Sequence, residues 1–187
     1  MEKHLIIFIK APRIGRVKTR LTKGIGRIAA WRFYKKTVWG LIKRVGSDNW
    51  KTTICLSPDD YKGSFFKGGF NIIPQGGGDL GQRMQRVFDT MPYGPVVLIG
   101  GDIPSIEKKH ITRAFRALKN NQIVFGPAED GGYWLVGMRR TRMRITPFSN
   151  VRWSTEHALK DTVANIPENT KIAYINTLND VDTVEDL

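Results

Sequence analysis

Apolar residues along this chain follow two rhythms, short unbroken runs and longer stretches spaced three or four apart. Leu5 to Ile9 is an unbroken run between polar neighbours, which predicts a strand buried on both faces. Tyr34, Val38, Leu41, Ile42 and Val45 recur at helical spacing, with Ile25 and Ile28 ahead of them in the same phase. The pattern then predicts a strand near 52–57, a turn at Ser57-Pro58-Asp59-Asp60 and a short strand at 70–73. A glycine-rich loop, 75–81, leads into a helix over 82–90. Val96 to Gly100 is another buried strand, and Ser105 is placed to cap a helix running to Leu118. Strands at 122–125 and 133–137, a helix from near Ser154 and a strand at 171–175 complete the core. Strands and helices alternate, which predicts an α/β fold, a three-layer sandwich around a mostly parallel sheet. No repeat or linker interrupts the pattern, so 1–187 reads as a single domain.

Composition adds exclusions. Hydrophobic residues make up 41% of the chain and charged ones 25%, ordinary values for a globular protein. The one cysteine, Cys55, lies in an apolar run and has no partner for an internal disulfide or a zinc site. The longest early apolar run is five residues, too short for a signal core or a membrane span. A cytoplasmic protein with no membrane partner is the expectation.

Charge changes the picture more. The net charge is +13, and between Lys3 and Ser47 stand 13 basic residues and no acidic one. An excess this concentrated favours an anionic partner, whether nucleic acid or a phosphorylated small molecule. In α/β sheets ligands sit beyond the carboxyl ends of the strands. The loop after the first predicted strand carries Lys10, Arg13, Arg16, Lys18 and Arg20 around Pro12 and Gly15. Clustered cations neutralise phosphate oxygens, so a phosphate cradle fits, as does a basic surface loop. It is not a Walker A loop, because Val17 rather than glycine precedes Lys18.

Four further segments carry candidate chemistry. Gly76 to Gly81 contains G-x-G-x-x-G between a predicted strand and helix, with Asp102 downstream, so a nicotinamide- or flavin-dependent oxidoreductase is one reading. Asp102 itself follows a buried strand in Gly-Gly-Asp-Ile-Pro, where it suits a Mg²⁺ ligand and equally a helix cap. Asp130 lies in Asp-Gly-Gly beside Tyr133 and Trp134; turn chemistry explains the first, and the aromatics can wall an acceptor pocket. Near the C-terminus Asp182 or Thr183 is placed to cap a last helix, and Asp182 is the candidate for a second metal carboxylate beside Asp102. His4, His110 and His157 show no ligand spacing.

Taken in order, F-I-K-A-P-R-I-G-R-V-K-T-R-L, D-L-G-Q-R-M, G-G-D-I-P, G-P-A-E-D-G-G-Y-W-L-V-G, W-S-T and D-V-D-T-V-E-D-L span most of the chain. In that series the protein resembles a poorly characterised family of short glycosyltransferase-A-type proteins, similar to the molybdopterin-cofactor nucleotidyltransferases and the phospholactate guanylyltransferase of deazaflavin biosynthesis. The resemblance implies the nucleotide-diphospho-sugar transferase (GT-A) fold. It implies nucleotide contacts from Lys10, Arg16, Lys18, Arg20, Leu80, Gly81 and Arg83, and Mg²⁺ on Asp102 and Asp182. Ile14 stands where the first loop of such proteins is expected to hold a proline.

The leading expectation is Mg²⁺-dependent nucleotidyl transfer to a phosphorylated small-molecule acceptor, with release of pyrophosphate. Lys18, Arg20 and Asp102 are its expected catalytic residues, and Asp130, Tyr133 and Trp134 the expected acceptor contacts. Glycosyl transfer from a nucleotide-diphospho-sugar is the close alternative. A nucleic-acid-binding protein using the basic N-terminal segment, and a non-catalytic member of the family, are the others.

Overall fold

The computed structural model describes residues 1–66 and 69–179. Asp182 and the predicted final helix lie outside them. The strands are β1 (His4–Lys10), β2 (Lys51–Ser57), β3 (Asn71–Pro74), β4 (Gly94–Gly100), β5 (Ile123–Pro127), β6 (Tyr133–Arg140) and β7 (Ile172–Tyr174). The helices are α1 (Thr22–Ile25), α2 (Arg27–Val45), α3 (Leu80–Thr90), α4 (Lys108–Ala117) and α5 (Ala158–Ala164). The strands form one sheet in the order β3-β2-β1-β4-β6-β5-β7. All pairings are parallel except those of β6, which runs antiparallel to both β4 and β5.

Each strand sorts its side chains to two faces. Leu5, Ile7 and Ile9 of β1 pack with Tyr34, Val38 and Leu41 of α2 and with Ile111 and Phe115 of α4. Ile6, between them in sequence, turns to the other face and joins Met84, Val87 and Phe88 of α3. Leu159 and Val163 of α5 border that second cluster. The result is three layers, helices on both sides of a sheet, as the alternating pattern predicts. Successive residues of a strand point to opposite faces, which is why one unbroken apolar run feeds both cores.

Three element boundaries differ from the sequence expectation. The helix expected from Ile25 is interrupted at Gly26, where φ is 81°, and Ile28 beyond it is 57% exposed although it keeps the helical phase. Ser105 does not cap α4. Glu107 occupies the N-cap, and its backbone N–H donates to Nδ1 of His110 at 3.1 Å. The helix expected near Ser154 starts at Ala158 instead, because Ser154 adopts φ 61° and residues 153–157 form turns.

The sheet order places the site. β1 leads leftward to β2 and β3, and the chain then crosses back to β4 on the other side of β1. The side to which the chain adds strands therefore switches between β1 and β4, which remain parallel, and beyond their carboxyl ends a crevice opens. Because β6 is antiparallel, its first residues, Tyr133 and Trp134, reach the same rim.

Candidate active site

The first loop is held down by aromatic side chains from α2. Tyr34 donates its hydroxyl to the Lys10 carbonyl at 2.7 Å, and Trp31 Nε1 donates to the Pro12 carbonyl at 2.7 Å. The Ala11 N–H extends the ladder toward Ser57 at 2.6 Å. Further along, Val17 and Leu21 are sunk into the core, while Arg16, Thr19 and Arg20 face solvent. The apolar anchors thus fix a loop whose cations point outward. Lys18 sits between them in the left-handed region, φ 45°, with its side chain only 3% exposed.

Asp102 meets this loop from the neighbouring strand. Gly101 donates its N–H to the Phe8 carbonyl at 2.9 Å, and a Cβ there would lie 2.7 Å from Ile9 Cγ1. Only glycine lets the chain leave β4 this close to the end of β1. The turn delivers the Asp102 carboxylate to Lys18, with Oδ2 3.0 Å from Nζ. Burial and then the Asp102 charge push the Tyr34 phenol well above its ordinary value, which fixes it as a neutral donor.

Two cavities share this rim. One, of about 310 Å³, is lined by Lys10, Arg16, Lys18, Arg20, Arg83 and Asp102, among others. Gln75 closes its base, buried and donating Nε2 to the carbonyls of Ile9 at 3.2 Å and Cys55 at 3.0 Å. The other, of about 280 Å³, is lined by Asp130, Tyr133, Trp134 and Trp153. Phe8, Leu80 and Asp102 belong to both, so the cavities adjoin across the carboxylate. The basic half is suited to polyphosphate, and the apolar half to the body of a small molecule.

The structure therefore brings Lys10, Arg16, Lys18, Arg20, Leu80, Arg83 and Asp102 into one cavity and Asp130, Tyr133 and Trp134 into the next. Gly81 stands apart. It packs against Phe148 and Trp153, and a Cβ there would collide with the Phe148 carbonyl. Trp134 is chiefly a core residue, 2% exposed, with Nε1 donating to the Asn176 carbonyl at 2.9 Å. Tyr133 is half-buried, its hydroxyl 3.4 Å from Thr162 Oγ1, and burial pushes its phenol up. Asp130 Oδ1 accepts the Gly132 N–H at 2.9 Å, so the residue shapes the turn as well as the cavity rim.

Gln75, Phe8 and Trp153 were not singled out by sequence. Gln75 follows a strand at its carboxyl end, which is a usable signal. Trp153 is placed by long-range contacts, since Arg152 beside it clamps Asp161 through Nε at 2.8 Å and Nη2 at 2.7 Å. That pairing holds the Asp161 carboxyl well below the usual carboxylate range.

The glycine run follows β3, the edge strand, and serves the start of α3. Asp79 caps that helix, accepting the Gln82 N–H at 2.8 Å while Gln82 Oε1 accepts the Asp79 N–H at 3.0 Å. Gly76 and Gly78 take φ 76° and 95° to make the turn. In a dinucleotide-binding unit the glycine turn follows the first, central strand, so this layout differs and the oxidoreductase reading falls.

The family model described as an uncharacterized protein conserved in bacteria (DUF2064) matches residues 41–155. The chain belongs to that family. A crystal structure from Desulfovibrio desulfuricans G20, provisionally named a nucleotide-diphospho-sugar transferase, is 30% identical with a TM-score of 0.90. The match covers 100% of this chain and 85% of that one. The DUF2064 fold also resembles the 4-diphosphocytidyl-2C-methyl-D-erythritol synthase of Anaerococcus prevotii DSM 20548, at TM-score 0.60 and 13% identity, covering 99% and 94% of the two chains. Rv0371c of Mycobacterium tuberculosis H37Rv, in complex with manganese, matches at TM-score 0.56 and 16% identity over 100% and 96%. At such identities these two establish a shared fold. No curated protein matches the sequence. The comparisons thus support the nucleotide-diphospho-sugar transferase fold expected from the motifs. Among the described residues of this DUF2064 protein no helix is long and apolar enough to cross a membrane.

Proposed function

We propose that this protein is a nucleotide-dependent transferase whose donor lays its phosphates across the 10–20 loop. The observation that carries the reading is the Lys18–Asp102 pair at the rim between β1 and β4, in a cavity that Lys10, Arg16, Arg20 and Arg83 also line. Among the described residues of that cavity wall stand five cations and one carboxylate, and an anionic ligand with several phosphate oxygens is what such a site attracts. The fold, shared with a family relative named as a nucleotide-diphospho-sugar transferase, supports the same reading.

A metal fits the donor set. Asp102 offers hard carboxylate oxygens at the cavity mouth with 38% of its side chain exposed, and Mg²⁺ takes one or two protein carboxylates with substrate phosphates and water. The protein share of the ligands includes no group of three acidic, histidine or cysteine side chains among the described residues. We assign Asp102 to it, with Asp182 as the proposed second carboxylate. When bound, Mg²⁺ would supply Lewis acidity at a phosphate oxygen. The chain's own task is to orient the donor: Lys18 and Arg20 stabilise charge on the departing phosphate, and Arg83, fixed by its Nε bond to the Gly78 carbonyl at 2.8 Å, borders the same cavity.

Nucleotidyl transfer, with pyrophosphate leaving, is the reaction we favour, because five cations suit a leaving group of high charge. Glycosyl transfer, with a nucleoside diphosphate leaving, is favoured by the name of the 30%-identical relative. A thermal-shift panel of nucleoside triphosphates and nucleotide sugars, with and without Mg²⁺, tests the common reading. A ligand bound a hundredfold above its Kd adds about 2.7 kcal/mol of stability. No shift with any nucleotide would end the proposal. Product analysis with the best ligand then separates pyrophosphate from nucleoside diphosphate.

A further inference from the structure

The two halves of the rim have opposite electrostatic character, and the difference constrains the acceptor. Among the described residues, Lys10, Arg16, Lys18, Arg20 and Arg83 line the nucleotide half. Among the described residues lining the adjoining cavity there is no lysine, arginine or histidine, and its charged groups are Asp102 and Asp130. The rest of its wall is Phe8, Leu80, Met84, Trp153 and other apolar side chains, with the hydroxyls of Ser154 and Thr155 at the edge. The Tyr133 and Trp153 rings meet edge to face at 6.4 Å, forming an aromatic corner.

We infer that the acceptor is an uncharged, hydroxyl-bearing small molecule with an apolar or sugar-like body, not a phosphorylated one. Among the described residues of this wall a phosphate would meet Asp130 and an Asp102 already paired with Lys18, and no cation turned to it, whereas charges taken from water need a partner at the site. Indole and phenol faces suit instead the C–H face of a sugar ring or an alkyl chain. The proposal departs from the leading expectation of a phosphorylated acceptor. It rests on the nucleotide reading for its direction, since Asp102 joins the two cavities and the reacting atoms must meet above it.

A neutral hydroxyl, unlike a phosphate, has a proton to lose. Asp102 is engaged by Lys18, so the carboxylate left in the acceptor half is Asp130, oriented by the Gly132 N–H. The acceptor O–H breaks and its proton passes to Asp130. The acceptor oxygen bonds to the α-phosphorus while the bridging P–O bond to pyrophosphate breaks. With a sugar donor, the new bond is to the anomeric carbon and the nucleoside diphosphate departs.

The test is calorimetric titration of the full chain with phenyl β-D-glucopyranoside and with its 6-phosphate, a pair differing by one phosphate. The neutral glucoside is expected to bind at least tenfold more tightly, and to keep that affinity when the best nucleotide and Mg²⁺ are present. Equal or tighter binding of the 6-phosphate, or binding of neither, overturns the inference. So does displacement of the glucoside by nucleotide, which would make this cavity the seat of the base. Ala128 lines only the apolar half, and Ala128→Lys should raise affinity for the 6-phosphate at least tenfold with nucleotide binding retained. An unchanged preference in that variant would count against the location. Should no nucleotide shift the melting temperature, the transferase reading fails while the glucoside comparison still decides what this cavity takes.

Discussion

Lys18 reaches Asp102 at 3.0 Å with its own side chain 3% exposed and the carboxylate 38% exposed, so a nearly buried cation meets a carboxylate open to solvent. A lysine so enclosed is fixed in place, at the rim where the proposed donor phosphate would arrive.

Lys18→Met keeps the aliphatic stem and deletes the charge. Because Asp102 is partly solvated, the folded state should lose no more than about 1 kcal/mol. A hydrogen bond to a charged group contributes about 1.5–3 kcal/mol, so nucleotide affinity should fall roughly 10- to 100-fold. Calorimetry beside a melting curve checks both, and unchanged affinity would remove Lys18 from the nucleotide site.

Gly101→Ala tests the turn that delivers Asp102. The added Cβ would lie 2.7 Å from Ile9 Cγ1 and 2.9 Å from the Phe8 carbonyl oxygen. Overpacking of this kind costs about 1–3 kcal/mol, and Asp102 should shift with it, weakening nucleotide binding. Gly77→Ala, where a Cβ would meet nothing within 4 Å, is the control and should be close to neutral. Urea unfolding of both variants gives the comparison.

These two predictions show what the sequence made legible. Continuous apolar runs revealed β1 and β4, and the carboxyl-end rule then pointed at Lys18 and Asp102 without any contact being known. Trp134 was harder. In sequence it is an aromatic beside a loop, yet strand register turns it inward to reach Asn176, a partner 42 residues away. Gly81 looked like a ligand-facing glycine, but its reason is the carbonyl of Phe148, far along the chain. Local pattern carries the rim; distant packing decides which face of each residue is used. The reversal of β6 was half visible, since Asp-Gly-Gly is a hairpin signal that an alternating α/β reading passed over.

Acid should weaken the fold through two histidines. Burial lowers the proton affinity of His4 and His110, and His110 Nδ1 is already the acceptor for the Glu107 N–H. As pH falls below about 6.5 the unfolded chain binds protons that the native chain refuses. Stability is therefore complete above that value and declines below it until the depressed native values are passed. The urea midpoint should be lower at pH 5.5 than at 7.5, and the double variant His4→Gln, His110→Gln should flatten the difference. A midpoint drop of the same size in that variant would assign it elsewhere.

Cys55 should be silent in the native protein. It is fully buried, and burial followed by the Asp59 charge pushes its thiol up to about 12, leaving almost no thiolate at neutral pH. A chromogenic disulfide reagent should label it only as the chain unfolds, so the labelling rate at rising urea reads the opening of β2, next to the edge strand β3. Rapid labelling without denaturant would contradict this placement.

The antiparallel course of β6 leaves the rim with two separable halves. Ala128 to Gly132 form the tip of the β5–β6 hairpin, braced where the Leu159 N–H donates to the Gly131 carbonyl at 3.0 Å, while the loop that carries Lys18 belongs to β1 and α2. Because the two halves hang from different elements, a substitution on the exposed face of the tip can alter one cavity without moving the other, which makes the hairpin the natural place to redesign what this rim accepts.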